Sequence, residues 1–297
     1  MPDGRRDGAA EKAGLLYVVA TPIGNMRDIT LRAMDILGSV GLVAAEDTRR
    51  TGLLLRQLGV SVKILSCREH NENSAAEKVV RRLRDGVDVA FVTDAGTPGI
   101  SDPAGRLVKR VREAGFSAYP VPGPSAATAA MSVSGFTARS FYFAGFLPAR
   151  QAARLKALEM VAGVSVPLIF FESPHRIGQV LQDMIRVLGD REAFMGREIT
   201  KLHETYFTGR LSELEGKFGT EKARGEITLV LRGADESEET GRIPDRMADI
   251  ERLVDVMLEC GLSARDISGL VSAATGLGRG MIYKMANTLK ENRQDGM

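Results

Sequence analysis

Cysteine is nearly absent from this chain: Cys67 and Cys260 are the only two among 297 residues. Two thiols so far apart argue against a disulfide framework and against a cysteine-based metal cage. No spacing of His, Cys and Asp suggests a metal ligand set, so no metal is expected. No apolar run approaches the ~20 residues that a membrane-spanning helix needs, so no membrane partner is expected. Met1 to Lys12 is polar and mixed in charge, with no apolar signal core behind it. The expectation is a reduced, cytoplasmic protein. Two phosphate-binding fingerprints are also missing: there is no G-x-x-x-x-G-K-[ST], and no G-x-G-x-x-G after the first strand.

What is present is an apolar fraction of 44%, in the range of a globular protein, and enough length for two ordinary domains. The net charge of +2 hides an uneven distribution. Arg49 to Arg84 holds nine basic residues against three acids, a basic band suited either to a polyanionic partner or to solvated helix faces. Asp235 to Glu239 carries four acids in five residues.

The chain is organised around Val89 to Pro103. Val89-Ala-Phe-Val92 reads as a strand buried on both faces. Two glycines and two prolines then stop regular structure, and Asp102-Pro103 suits the start of a helix, as N-cap and first helical residue. Such a loop lies at the carboxyl edge of a parallel sheet, where ligands bind. Two similar loops occur. Ala20-Thr-Pro-Ile-Gly-Asn25 follows strand Leu15–Val19, and Val121-Pro-Gly-Pro-Ser-Ala126 follows strand Ser117–Pro120.

Between them, strand Gly41–Ala45 delivers Glu46-Asp-Thr-Arg49 to its carboxyl end. Helix Thr51–Leu58, strand Val62–Leu65 and a capping box Ser74-Ala-Ala-Glu77 opening a helix to Arg84 follow. Asp28 or Thr30 caps the helix before Gly41. Alternating strands and helices predict a parallel sheet with helices on both faces. After Gly135 aromatic strands appear, with a helix capped by Ser173-Pro174 and three closely spaced strands suited to antiparallel pairing. The reading is an α/β protein of two α/β domains, 14–136 and 137–233, with a disordered tail over 1–13. An acidic linker, Ala234 to Gly241, leads to a helical extension over 242–297 that is similar to a helix-turn-helix, with Ser263-Ala-Arg-Asp266 as a start signal.

The motifs Ala20-Thr-Pro-Ile-Gly-Asn-Met-Arg-Asp-Ile-Thr30, Ala45-Glu-Asp-Thr-Arg49, Asp94-Ala-Gly-Thr-Pro-Gly-Ile-Ser-Asp-Pro103, Pro122-Gly-Pro-Ser125, Phe170-Phe-Glu-Ser-Pro-His-Arg176 and Arg197-Glu-Ile-Thr-Lys201 together resemble the tetrapyrrole methylase-like family of S-adenosylmethionine enzymes. They look most like its branch that 2′-O-methylates a decoding-region cytidine of 16S ribosomal RNA. The resemblance spans roughly Leu15 to Gly233. One departure is informative: the family's G-x-G-P-G-D loop reads Ala20-Thr-Pro-Ile-Gly-Asn25 here, which speaks against a tetrapyrrole substrate.

The resemblance implies S-adenosylmethionine as cofactor, held between the two domains. Ile23, Thr97, Ile100, Ser125, Ala126, Phe171, Glu198 and Thr228 match family cofactor positions, with Gly24, Asp94 and Gly96 in the same loops. It also implies the small ribosomal subunit as partner and a homodimer. Proton acceptors for a ribose hydroxyl at strand ends are Glu46, Asp47, Glu172 and His175. Glu172 also suits a capping role, and Glu46 and Asp47 also suit ion pairs with Arg49 or Arg50. RNA phosphates would meet Arg49, Arg50, Arg56, Arg68, Arg81, Arg82 and Arg84 first, then Arg279, Tyr283 and Lys284 of the extension. The rivals are a methylase of a small, tetrapyrrole-like substrate and a non-enzymatic nucleic-acid-binding protein.

Overall fold

The computed structural model describes residues 13–99, 104–219, 225–234, 247 and 250–294. Contacts divide the chain into two compact units, one ending at Gly233 and the other beginning at Ala234.

The first unit holds two five-stranded sheets. Strands β1 (Leu16–Val19), β2 (Leu42–Ala45), β3 (Ile64–Ser66), β4 (Val89–Val92) and β5 (Ala118–Val121) run parallel in the order β3-β2-β4-β1-β5. Every residue of β2 and β4 is buried, as expected of strands covered on both faces. One face is covered by α1 (Leu31–Ser39) and α2 (Thr48–Gln57) through Ala33, Leu37 and Leu55. The other is covered by α3 (Glu72–Arg84) and α4 (Ala104–Glu113) through Val79, Leu83, Leu107 and Val111.

The second sheet contains β6 (Tyr142–Phe146), β7 (Leu168–Glu172), β8 (Glu192–Arg197), β9 (Thr205–Arg210) and β10 (Ile227–Leu231), in the order β6-β7-β10-β8-β9. It is mixed: β6 pairs parallel with β7, and the other pairs are antiparallel. Helices α6 (Gln151–Val161), α7 (Ile177–Leu188) and α8 (Leu211–Phe218) pack on one face around Phe170, Leu181 and Met195. On the other face, α5 (Ala126–Val133) sets Ala127 and Ala130 against Ile169, Phe194 and Val230. Ile23 joins that same cluster, so the loop after β1 reaches across to the second sheet.

Several boundaries differ from the expectation. Helix α2 begins at Thr48, not Thr51, because the Asp47 carboxylate accepts the Arg49 N–H at 2.8 Å and caps it. Helix α3 begins at Glu72, so Ser74 to Glu77 lies inside it; the Asn71 side chain instead accepts the Arg68 N–H at 2.7 Å. Helix α7 begins at Ile177 behind Arg176, and Ser173-Pro174 sits in a preceding turn rather than capping it. Strand β3 is shorter than expected, starting at Ile64. Helices α6 and α8 were not anticipated at all. Thr30, rather than Asp28, caps α1 by accepting the Ala33 N–H at 3.1 Å. The proposed Asp102-Pro103 start of α4 lies outside the described residues, as do the tail over 1–12 and most of the acidic linker.

In the second unit, helical residues 250–259 (α9), α10 (Ala264–Thr275) and α11 (Arg279–Gln294) share a core of Ile250, Val254, Ile267, Val271, Ile282 and Ala286. Ser263 caps α10 by accepting the Asp266 N–H at 3.2 Å, as its sequence suggests. No described helix is long and apolar enough to cross a membrane.

Candidate functional site

The three Gly/Pro loops meet because short contacts join them. Thr21 and Gly96 exchange two backbone hydrogen bonds, each of 3.0 Å. Gly96 makes this possible at φ +81, where a side chain would be strained. Thr97 Oγ1 donates to the Pro124 carbonyl at 3.0 Å. A Cβ on Gly123 would stand 2.9 Å from Ala20 Cβ, so glycine lets the first and third loops touch.

The second sheet supplies the opposite wall by register. Antiparallel pairing places Ile227 opposite Glu172 and Thr228 opposite Phe171. Parallel pairing places Phe146 beside Phe171. The result is a cavity of about 400 Å³, within the range of small-ligand sites. Its walls are Ile23, Thr93 to Thr97, Ser125 and Ala126 on one side, and Phe146, Phe171 to Pro174 and Gly225 to Thr228 on the other. Glu46 and Arg50 complete it.

Three polar features stand out. Thr93 Oγ1 and Asp94 Oδ1 are buried and have no hydrogen-bond partner among the described residues. The other Asp94 oxygen pairs with Arg50 Nη1 at 3.2 Å. Glu172 is 2% exposed yet lines the cavity. Burial pushes its pKa up, against the pull of the Ser173 N–H at 2.6 Å and the Arg176 guanidinium at 3.1 Å.

Of the residues expected to hold a cofactor, Ile23, Asp94, Gly96, Thr97, Ser125, Ala126, Phe171 and Thr228 line this cavity. Gly24 and Glu198 do not. Gly24 is a close-approach residue: a Cβ there would lie 2.7 Å from Thr200 Oγ1. Glu198 adopts φ +54 and accepts Lys201 Nζ and the Glu226 N–H, each at 2.8 Å. It braces Gly225 and Glu226 from behind. Burial raises its pKa, but Lys201 and the Glu226 N–H outweigh this and hold it below the ordinary value. Ile100 lies outside the described residues.

Of the proton-acceptor candidates, Glu46 and Glu172 line the cavity. Asp47 caps α2 instead, and its Arg49 partner lowers its pKa to about 2. His175 is exposed and off the cavity wall. Among the basic residues, Arg50 lines the cavity and Arg49 stands at the same sheet edge. Arg68 is held there too, its Nε donating to the Glu46 carbonyl at 3.1 Å. Arg56 sits in the last turn of α2, further off.

Arg81, Arg82 and Arg84 lie at the opposite edge. The Leu83 and Arg82 carbonyls accept the N–H groups of Gly14 and Val87, just before β1 and β4. A helix that follows a parallel strand ends where the next strand begins, so its last turn lies far from the strand tips. Arg279, Tyr283 and Lys284 are exposed on α11 of the second unit. The expectation missed Phe146, Thr93 and the Gly225–Ile227 wall; only long-range strand register brings the first and last of these to the cavity. Among the described residues, no group of three or more His, Cys, Asp or Glu is arranged to hold a metal ion.

The family model for tetrapyrrole (corrin/porphyrin) methylases matches residues 15–215. A protein of Neisseria meningitidis named ribosomal RNA small subunit methyltransferase I is 41% identical over 93% of this chain and 94% of its own length. Its namesake in Escherichia coli O157:H7 is 39% identical over 95% and 98%. The namesake in Thermotoga maritima is 44% identical over 99% of its own length but only 74% of this chain. Among solved structures, uroporphyrin-III-C-methyltransferase from Thermus thermophilus matches with a TM-score of 0.55 at 20% identity, over 73% of this chain and 94% of that one. At that identity the likeness is one of fold.

Proposed function

This chain belongs to the tetrapyrrole (corrin/porphyrin) methylase family, and from that membership we infer that it is an S-adenosylmethionine-dependent methyltransferase of small-subunit ribosomal RNA. Relatives near 40% identity over almost the whole chain are named ribosomal RNA small subunit methyltransferase I. The 2′-hydroxyl of a decoding-region cytidine in 16S rRNA is the target that best suits the site.

The observation that carries the reading is the cavity itself. Its volume, its unpartnered Thr93 Oγ1 and Asp94 Oδ1, and its apolar Ile23 and Phe171 fit a nucleoside with a charged amino-acid tail. The cofactor supplies a methyl group on a sulfonium, an electrophile that needs no further activation. Asp94, Thr97, Ser125, Ala126 and Thr228 would hold it, with Ile23 and Phe171 beside its apolar parts. The chain then has to bring the acceptor oxygen into line, and orientation of that kind is worth up to about 7–11 kcal/mol.

Glu172 takes the ribose hydroxyl proton. Burial keeps its pKa above the ordinary carboxylate value, which makes it a stronger base than an exposed glutamate, and a placed base adds about 10²–10⁴-fold. Glu46, hydrogen-bonded to the Asp94 N–H at 3.4 Å, supports the loop rather than the proton transfer. Arg50, Arg49 and Arg68 frame the entrance for phosphates, and Arg279 and Lys284 of the second unit add a further grip. The protein works in the cytoplasm as a homodimer. The exposed Tyr119 on edge strand β5 offers a surface for the second copy.

Transfer of labelled methyl groups to small ribosomal subunits, set against porphyrinoids, tests the function. The label should appear in an alkali-resistant dinucleotide of the rRNA, because 2′-O-methylation blocks alkaline cleavage at that linkage. Label in a base, or in a porphyrinoid alone, would defeat the reading.

A further inference from the structure

Phe146 is the odd residue of the cavity. It lines the wall yet keeps 57% of its surface exposed, while its strand neighbour Phe171 is largely covered. Its position depends on a local irregularity. Side chains alternate along a strand, so residues 143 and 146 would normally face opposite sides of the sheet. Here the register shifts between Phe143 and Gly145, Ala144 is left without a partner, and Gly145 takes φ +68. The bulge puts both rings on Phe171, edge to face, with centroids 5.0 Å from Phe143 and 5.6 Å from Phe146. Bulges beside functional sites often re-aim one side chain in this way.

A phenylalanine more than half exposed contributes little to a core. The core contact of this segment is already made by Phe143, which packs in the cluster between α5 and the second sheet. What Phe146 offers is an aromatic surface held edge to face against Phe171 at the wall of the cavity.

Resting on the rRNA methyltransferase reading, we propose that Phe146 is the platform on which the target nucleobase stacks once it has left its RNA stack. The base lies on the exposed ring surface, and its ribose is carried into the cavity that the ring borders. Enzymes that act within a structured nucleic acid draw the target nucleotide out and hold it between flat apolar groups. Sequence-specific recognition of unpaired RNA uses aromatic side chains in the same way. Stacking is tolerant of base identity, so Phe146 would supply affinity and alignment while hydrogen bonds to the base edge supply selectivity.

Three variants test this. Phe146→Leu keeps apolar packing against Phe171 but removes the aromatic surface; Phe146→Ala removes both. Each should lower kcat/KM for the RNA about 5- to 150-fold, the usual effect of removing a base-stacking ring, with S-adenosylmethionine affinity by calorimetry unchanged. Phe146→Trp should rescue transfer. Because the chain has no other tryptophan, its emission reports directly on the site, and it should be quenched by the rRNA substrate.

A Phe146→Leu protein as active as wild type would reduce the ring to an apolar rim. Loss of cofactor affinity in Phe146→Ala would assign it to the cofactor pocket, and tryptophan emission indifferent to RNA would also overturn the proposal. Wild-type protein that transfers no methyl to the RNA would instead remove the functional reading on which the platform rests.

Discussion

The strongest stability prediction concerns a charge pair inside the second sheet layer. Arg154 of α6 and Asp183 of α7 are each 3% exposed. Arg154 Nη2 and Nε reach Asp183 Oδ2 at 2.6 and 2.8 Å. Its Nη1 donates to the carbonyls of Pro148 and Ala149, and Gln151 holds the other Asp183 oxygen at 3.0 Å. Arg154→Met keeps the aliphatic stem and removes the charge. Asp183 is then a buried carboxylate with one neutral donor, and Ala149 loses its guanidinium partner. Breaking one side of a buried pair costs about 3–5 kcal/mol. For a unit of this size, each kcal/mol lowers Tm by about 2–4 °C, so a drop of about 6–20 °C is expected.

The double variant Arg154→Met/Asp183→Leu should recover most of that loss, because an apolar pair in the same volume is often neutral or stabilising. The two substitutions would then be strongly non-additive. Scanning calorimetry of wild type, Arg154→Met, Asp183→Leu and the double variant at pH 7 measures this, read on the larger transition since the second unit can melt separately. A single variant within 1 kcal/mol of wild type, or a double variant as unstable as the single, would refute the reasoning. The pair also bears on the site. Arg176, which pairs with Glu172, donates to the Leu147 and Pro148 carbonyls, so the segment held by Arg154 backs the Glu172 wall.

Glu172→Gln should lower single-turnover methyl transfer by about 10²–10⁴-fold while leaving S-adenosylmethionine affinity intact. The wild-type rate should rise with pH through the raised Glu172 pKa and be lost on acidification below it, and the variant should lack that step. For stability the sign is opposite: a carboxyl raised by burial favours the protonated fold, so stability is intact below the unfolded pKa of Glu172 and falls as pH rises from there through its raised folded pKa. Deleting Ala234 to Met297 should weaken RNA capture, read as KM or filter retention, far more than cofactor affinity. At Thr200, φ +69 reverses the usual order of substitutions, so Thr200→Gly should be more stable than Thr200→Ala in urea unfolding.

The three loops were legible because a buried apolar strand that runs into Gly and Pro has little choice but to end in irregular backbone at the sheet edge. The alternation of strand and helix likewise gave the parallel sheet, and closely spaced strands gave the mixed one. Helix α6 was hidden because Arg154 occupies a core-facing position and breaks the apolar period. Helix α8 does space Leu211, Leu214 and Phe218 correctly, but it is eight residues long and contains Gly216. Asp47 was missed as the α2 cap because it serves a turn earlier than the first clear apolar period. The far wall of the cavity was out of reach for a different reason. Nothing local to Ile227 or Phe146 records that pairing will set them beside Glu172 and Phe171.

The supports of the cavity carry the backbone strain, and its walls do not. Glu198 and Thr200, at φ +54 and +69, are the two non-glycine residues in the left-handed region among those described, and neither lines the cavity. Each such residue costs on the order of 1–3 kcal/mol and persists only where its surroundings fix it. Thr200 Oγ1 accepts the Asn25 N–H at 3.1 Å, and the Thr200 N–H donates to Glu204 at 2.7 Å. Glu198 holds Lys201 and the Glu226 N–H. One strained turn between β8 and β9 therefore clamps the first Gly/Pro loop on one side and the Gly225–Ile227 wall on the other. The parallel sheet alone would leave its three loops open to solvent. The turn holds the first of them against the second sheet, which helps residues far apart in sequence converge on one pocket.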